Sequence, residues 1–110
     1  MLFRSANATI NRSQGATVTW NGGSPGSYVI IGGSSSSTAG GLSVTASYSC
    51  YAPVSAGQFT VPPAILLQLP AGSGTASVEN STSFQPFTAS GLDAGVSWGG
   101  VSISVNSTYN

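Results

Sequence analysis

Lysine and histidine are both missing from these 110 residues, and only four side chains carry charge: Arg4, Arg12, Glu79 and Asp93. Without histidine, neither a Ser-His-Asp nor a Cys-His nucleophile arrangement can be assembled. Without lysine there is no Ser-Lys dyad and no lysine amine for an intramolecular isopeptide bond. Two arginines cannot neutralise a phosphate track, so nucleic acid is excluded as a partner, and anionic membrane surfaces on the same ground. Zinc asks for clustered Cys, His or carboxylates and calcium for several carboxylates. No metal or other cofactor is therefore expected.

Cysteine occurs once, as Cys50. No intrachain disulfide can form, and cysteine usage says nothing about the redox compartment. Long apolar runs are also missing. The longest is residues 64–69, far too short to span a bilayer. The opening Met1-Leu2-Phe3-Arg4 has no apolar h-region, so any export signal is expected to lie upstream of it or to have been removed.

What is present is a hydrophobic share of 40 % with only 4 % charged residues. Charge usually makes up about 25 %. The hydrophobic share separates the chain from disordered polypeptides, which combine low hydrophobicity with high charge. Serine, threonine, asparagine and glycine take over the polar role. An uncharged hydroxyl and amide surface suits an exported protein, and it gives little repulsion between copies.

Alternation with period 2 recurs along the chain and points to strands. Residues 16–21 place Val18 and Trp20 on one face and Thr17 and Thr19 on the other. Residues 28–31 are apolar on both faces and read as a central strand. Residues 32–41 read as a flexible Gly/Ser loop. In residues 42–51, Leu42, Val44, Ala46, Tyr48 and Cys50 share one face, which predicts that this face is buried. A turn over 52–57 precedes a strand begun by Phe59 and Val61, which Pro62-Pro63 ends. In residues 64–69, Ile65, Leu66 and Leu69 suit one helical turn that plugs an end of the core, with Pro63 before it and Pro70 after it. Strands are expected over 75–80 (Ala76 and Val78 inward), 83–89 (Phe84 and Phe87 as core candidates), 95–98 and 101–105. Residues 6–10 form a candidate first edge strand.

Seven to nine short strands separated by Gly/Pro/Ser turns predict one all-β domain over residues 1–110. Its expected form is a two-sheet antiparallel β-sandwich, immunoglobulin-like with Greek-key connections, carrying one short helical turn. Val18-Thr19-Trp20, Gly22-Gly23 and Tyr28-Val29-Ile30 resemble the B and C strands of an immunoglobulin-like or fibronectin III-like module. Residues 18–31, 50–72 (with Ala-Gly-Gln-Phe-Thr-Val-Pro and Leu-Pro-Ala-Gly) and 87–98 (with Thr-Ala-Ser-Gly-Leu-Asp) are similar to an uncharacterised domain near the C-terminal ends of large secreted bacterial proteins. The resemblance covers about half of the chain. It implies a sandwich and an extracellular setting, and it carries over no functional residues.

Glu79 and Asp93 are the only side chains for general acid/base work, and a glycosidase-like pair would need them about 5–10 Å apart. Asp93 stands in Ser90-Gly91-Leu92-Asp93-Ala94-Gly95, a natural turn, and the structural reading is preferred for both. No catalytic residue is assigned. Cys50 reads as a small buried hydrophobe, with an intermolecular disulfide as its alternative. Trp20 follows the core phase of its strand. Trp98, between Ser97 and Gly99, is open to either a core role or a sugar-stacking one, and Tyr51 and Tyr109 would extend a carbohydrate-binding face. Four Asn-X-Ser/Thr sequons, at Asn7, Asn11, Asn80 and Asn106, are candidate glycosylation sites in a glycosylating host.

Strand edges are normally guarded by lysine or inward charge. Here almost none is available, so edges are expected to be covered or to pair with another chain. Residues 1–12 are either the domain's own edge strand or a donor strand for a neighbour. The sequence thus reads as a non-enzymatic extracellular module. It is a surface or stalk domain, or a self-assembling fibre subunit joined by strand addition, whose partners are copies of itself or neighbouring domains. The alternative is a carbohydrate-binding module.

Overall fold

The computed structural model describes residues 2–3 and 9–110, with side chains from residue 9 onward. The strands are β1 (Leu2–Phe3), β2 (Thr9–Ile10), β3 (Ala16–Asn21), β4 (Tyr28–Ala39), β5 (Leu42–Pro53), β6 (Gln58–Val61), β7 (Gly72–Ser81), β8 (Gln85–Phe87), β9 (Gly95–Ser97) and β10 (Gly100–Tyr109). A 3-10 turn, Val54–Ala56, links β5 to β6, and a helix α1, Pro63–Leu66, follows β6. The protein is all-β.

Three sheets result. The large one has the order β2-β10-β7-β4-β5, the small one β1-β3-β6, and β8-β9 form a separate hairpin. Pairing is antiparallel except at one edge, where β2 runs parallel to β10 with Ile10 beside Tyr109. That edge departs from the wholly antiparallel arrangement expected.

The register of the large sheet explains which residues are buried. Val29, Ile31, Cys50, Ala52, Val78 and Tyr109 share one inward face of the large sheet and form one buried cluster with Ala16, Val18, Trp20 and Val61 of the small sheet. Trp20 is 3 % exposed, and its indole N–H donates to the Val54 carbonyl oxygen at 2.7 Å. The ring is thus satisfied at its polar tip while its body supplies core area. The helical plug is also present. Leu66 and Leu69 are buried, each stabilising by roughly 1.5–3 kcal/mol relative to exposure. Ile65 turns outward instead. A cavity of about 20 Å³ remains between the sheets, lined by side chains such as Ile10, Val18, Ile31 and Val61.

Residues 32–39 are not a loop. They continue β4 for its full twelve residues, and only Gly40-Gly41, with φ of +59° and +79°, turn the chain into β5. Positive φ at both central residues is what a tight two-residue hairpin connection demands. The Gly/Ser run forms strand because β4 is paired on both sides, by β5 and by β7. Those ladders outweigh the poor intrinsic β propensity of Gly and Ser. The small residues also leave room underneath. The hydroxyl of Tyr109 and the ring of Tyr48 lie over Gly33, and Ser35 is buried with its hydroxyl donating to the Pro70 carbonyl oxygen at 2.6 Å.

The inward face of β5 is buried over only part of its length. Cys50 is buried and Ala46 and Tyr48 are half-buried, but Leu42 and Val44 are exposed. The alternation is real, but the small sheet is built from six and four residues in β3 and β6, against twelve in β5. The β4–β5 hairpin therefore extends past its cover. Phe84 and Phe87, read as core candidates, are exposed as well. They belong to the β8–β9 hairpin and its approach, which lie outside the two main sheets.

Candidate functional site

Three surface features follow from this register. The first is the free edge at β5. This strand ends the large sheet, is twelve residues long, carries no charged side chain, and has a proline only at its last position. Two other edge strands are short: β2 has two residues, which pair with Thr108 and Tyr109 of β10, and β6 has four, followed by Pro62-Pro63. A long uncharged edge presents a row of backbone N–H and C=O groups ready to pair.

The described parts of the N-terminal segment pair within the chain, β1 with β3 and β2 with β10, each at an edge of its sheet.

The second feature is the face of the large sheet turned away from the small one. Thr9, Thr108, Ser73, Ser36 and Thr45 stand in one row across all five strands. Asn106, Thr75, Ser34 and Ser47 form the next row, and Ser104, Ser77, Gly32 and Ser49 the one after. Neighbouring hydroxyls bond to one another: Ser36 with Thr45 at 2.7 Å and Thr38 with Ser43 at 2.8 Å. Rows lie about 7 Å apart along the strands and side chains about 4.8 Å apart across them. Glu79 is the charged residue of this face among the described strands.

The third feature is aromatic and sits at the far end of the same face. Tyr51 lies opposite Ile30, and Tyr28 opposite Pro53 one row on, so the two tyrosines are diagonal neighbours. They are 59 % and 63 % exposed for Tyr28 and Tyr51 respectively. Phe84, from the connection after β7, completes a cleft of about 410 Å³ with them. Trp98, also exposed, meets Phe84 edge to face with centroids 5.4 Å apart. The loop bearing Trp98 is held by two bonds: the Gly99 N–H to Thr82 Oγ1 at 2.9 Å, and the Thr82 N–H to the Gly99 carbonyl oxygen at 2.7 Å.

Of the three aromatics expected to stack on sugar, then, Tyr51 and Trp98 come to the same end of the molecule and Tyr109 does not. Tyr109 is 1 % exposed and donates its hydroxyl hydrogen to the Thr75 carbonyl oxygen at 2.8 Å. It is a core residue because the inward phase of β10 reaches it. The sequence reading missed Tyr28 and Phe84. The signal for Tyr28 was available, since it alternates with the inward Val29. Phe84 follows an Asn-Ser-Thr-Ser run with no periodicity to place it.

The sequons also divide. Asn80 is buried; its amide donates to Ser27 Oγ at 2.7 Å and to the Tyr28 carbonyl oxygen at 2.9 Å, and its Oδ1 accepts from the Ser24 N–H. That amide nitrogen is engaged inside the fold, so Asn80 is not a surface attachment site. Asn11 and Asn106 are exposed, with Asn11 Oδ1 accepting from the Ser13 N–H and hydroxyl. Asn7 lies outside the described residues.

Glu79 lies on β7 and Asp93 in the β8–β9 connection, both exposed. Among the described residues no group of three or more His, Cys, Asp or Glu side chains gathers around a common point. No helix among them is long and apolar enough to cross a membrane. Burial pushes the Cys50 thiol above its ordinary pKa, which makes it a poor nucleophile. Comparison with protein-family models, curated proteins and solved structures gives no match to this chain.

Proposed function

We propose that the protein is a non-enzymatic structural module of the cell exterior, joined to copies of itself or to neighbouring domains by strand addition along β5. The observation that carries this reading is the β5 edge, twelve residues without a charge in a chain with no lysine to guard it. A second strand laid against it would extend the five-stranded sheet through backbone hydrogen bonds alone. The large and small sheets would then act as an immunoglobulin-like sandwich whose function is mechanical and adhesive. The hydroxyl-rich, nearly uncharged outer face supports an extracellular setting.

The test is sedimentation of the purified chain beside a Ser47→Lys/Ser49→Lys variant. Both serines are exposed on β5, so the substitutions place charge at the edge without entering the core. The wild type is expected to associate with rising concentration. The variant is expected to stay monomeric with an unchanged urea midpoint. A wild type that sediments as a monomer up to its solubility limit overturns the reading.

A further inference from the structure

We infer that the cleft formed by Tyr28, Tyr51 and Phe84, with Glu79 beside it, binds a neutral sugar unit. It uses side chains on the outer face of the sheet, Tyr51 of β5 among them, and not the backbone edge that strand addition would take.

A pyranose is amphipathic in a specific way. One or both ring faces present C–H groups, and the rim presents hydroxyls in adjacent pairs. A site for it needs exposed aromatic surface together with a few uncharged or singly charged acceptors at the margin. Both are present here. Tyr28, Tyr51 and Phe84 are each more than half exposed, an unusual outlay of aromatic surface in a small domain. Tyr28 and Tyr51 are held by the register of the β4–β5 ladder, and Phe84 is braced by Trp98. The ladder thus fixes the backbone positions from which the two tyrosines project, which limits the reorganisation needed on binding. The phenol hydroxyls of Tyr28 and Tyr51 have no partner among the described residues and are open to solvent for a ligand to bond.

Glu79 supplies the acceptor. It lies opposite Ile30 on β7, while Tyr51 lies opposite Ile30 on β5. Carboxylate and ring thus flank one residue on the same face, two strand spacings or about 10 Å apart, the span of one to two sugar rings. A carboxylate accepts from both hydroxyls of an adjacent pair. This is one of only two acidic side chains in the chain.

Charge selects the ligand class. Arg12, the described cation, is committed elsewhere, donating to the Leu69 and Asn110 carbonyl oxygens at 2.6 and 3.2 Å. Among the described residues no cation lines the cleft for a uronate or a sulfated sugar, and Glu79 repels both. The cleft volume of about 410 Å³ lies within the usual range for small-ligand sites, near its lower end.

The experiment is affinity measurement by calorimetry and by Trp98 fluorescence against cellohexaose, mannohexaose, laminarihexaose and chitohexaose, with galacturonate hexamer and tetramethylammonium as counter-probes. At least one neutral hexasaccharide is expected to bind. Tyr51→Ala or Tyr28→Ala is expected to weaken it about tenfold. Glu79→Gln is expected to weaken it less, and Ser73→Lys, three rows away on the same face, to leave it unchanged. Each substituted side chain is exposed, so circular dichroism should show all four variants folded. No binding to any neutral hexasaccharide overturns the inference, as does binding that survives both tyrosine substitutions. Tighter binding of tetramethylammonium than of every sugar, lost in Glu79→Gln, also overturns it and assigns the cleft to organic cations instead.

Discussion

The hydroxyl of Tyr109 lies so near Gly33 that a Cβ at position 33 would overlap it, and the glycine leaves it that room. The same glycine accommodates the Thr75 carbonyl oxygen and the ring edge of Tyr48, at 2.7 and 2.8 Å from that Cβ position. Gly33→Ala is expected to cost about 1–3 kcal/mol, the usual range for overpacking a filled core. Urea denaturation measures it. Combined with Tyr109→Phe, the loss should be smaller than the sum of the two, because the two residues contest one space. Additive losses would place the strain elsewhere.

Cys50 is 8 % exposed and has its thiol pKa raised by burial. Native protein is expected to react with a thiol reagent far more slowly than protein in urea. Cys50→Asp should unfold the domain, since an unpaired carboxylate would enter the core, whereas Cys50→Ala should leave a folded protein. Equal labelling rates in native and denaturing buffer would contradict the inward register of β5.

Stability should fall in alkali. Burial, together with a hydrogen bond to Tyr109, raises the pKa of Tyr48, and burial raises those of Tyr109 and Cys50. In each case the folded state holds its proton after the unfolded chain has released it. The unfolded chain loses protons near its ordinary values, about 8.5 for Cys and 10 for Tyr. Above those values it binds fewer protons than the folded state, so stability declines as pH rises and is undiminished by these groups below them. Urea midpoints at pH 7, 9 and 11 test this, and Tyr48→Phe should flatten the decline. A level profile to pH 11 would refute the burial of these groups.

Asn80 donates twice and accepts once inside the fold. Asn80→Asp replaces the donating nitrogen with an oxygen facing the Ser27 hydroxyl and the Tyr28 carbonyl. A loss of at least about 2 kcal/mol is expected at neutral pH. The loss should shrink at a pH low enough to protonate the new carboxyl, which can then donate one of the two bonds. A variant as stable as the wild type would show that this network is dispensable.

Much of the core was legible from the sequence because period-2 alternation and burial coincide where two sheets overlap. Val18 with Trp20, and Leu66 with Leu69 between prolines, are positions of this kind. Leu42 and Val44 show where the pattern stops being informative. They alternate as well as Cys50 does, yet alternation reports a side and not whether another layer reaches over it. The Gly/Ser stretch of β4 was illegible for the opposite reason: its strand character comes from ladders on both flanks, supplied by residues 42–53 and 72–81, and not from its own side chains. Tyr109 had the right phase to be inward, but its partners Gly33 and Thr75 are distant in sequence. The aromatic cleft joins Tyr28, Tyr51 and Phe84 through strand register, which composition cannot reveal.

The rows of serine and threonine on the outer face bear on how the protein meets salt. A surface that keeps water through ion hydration changes its interactions as the Debye length shortens, from about 10 Å at 0.1 M to 3 Å at 1 M. This face holds its water through hydroxyl dipoles, with Glu79 as its described charge, so there is almost nothing for dissolved ions to screen. Its hydration, and the encounter of one such face with another body, should be nearly the same in dilute buffer and in brine. Encounters would then be neither accelerated by opposite charge nor slowed by like charge, leaving association rates in the range of about 10⁵–10⁶ M⁻¹s⁻¹ typical of unsteered proteins.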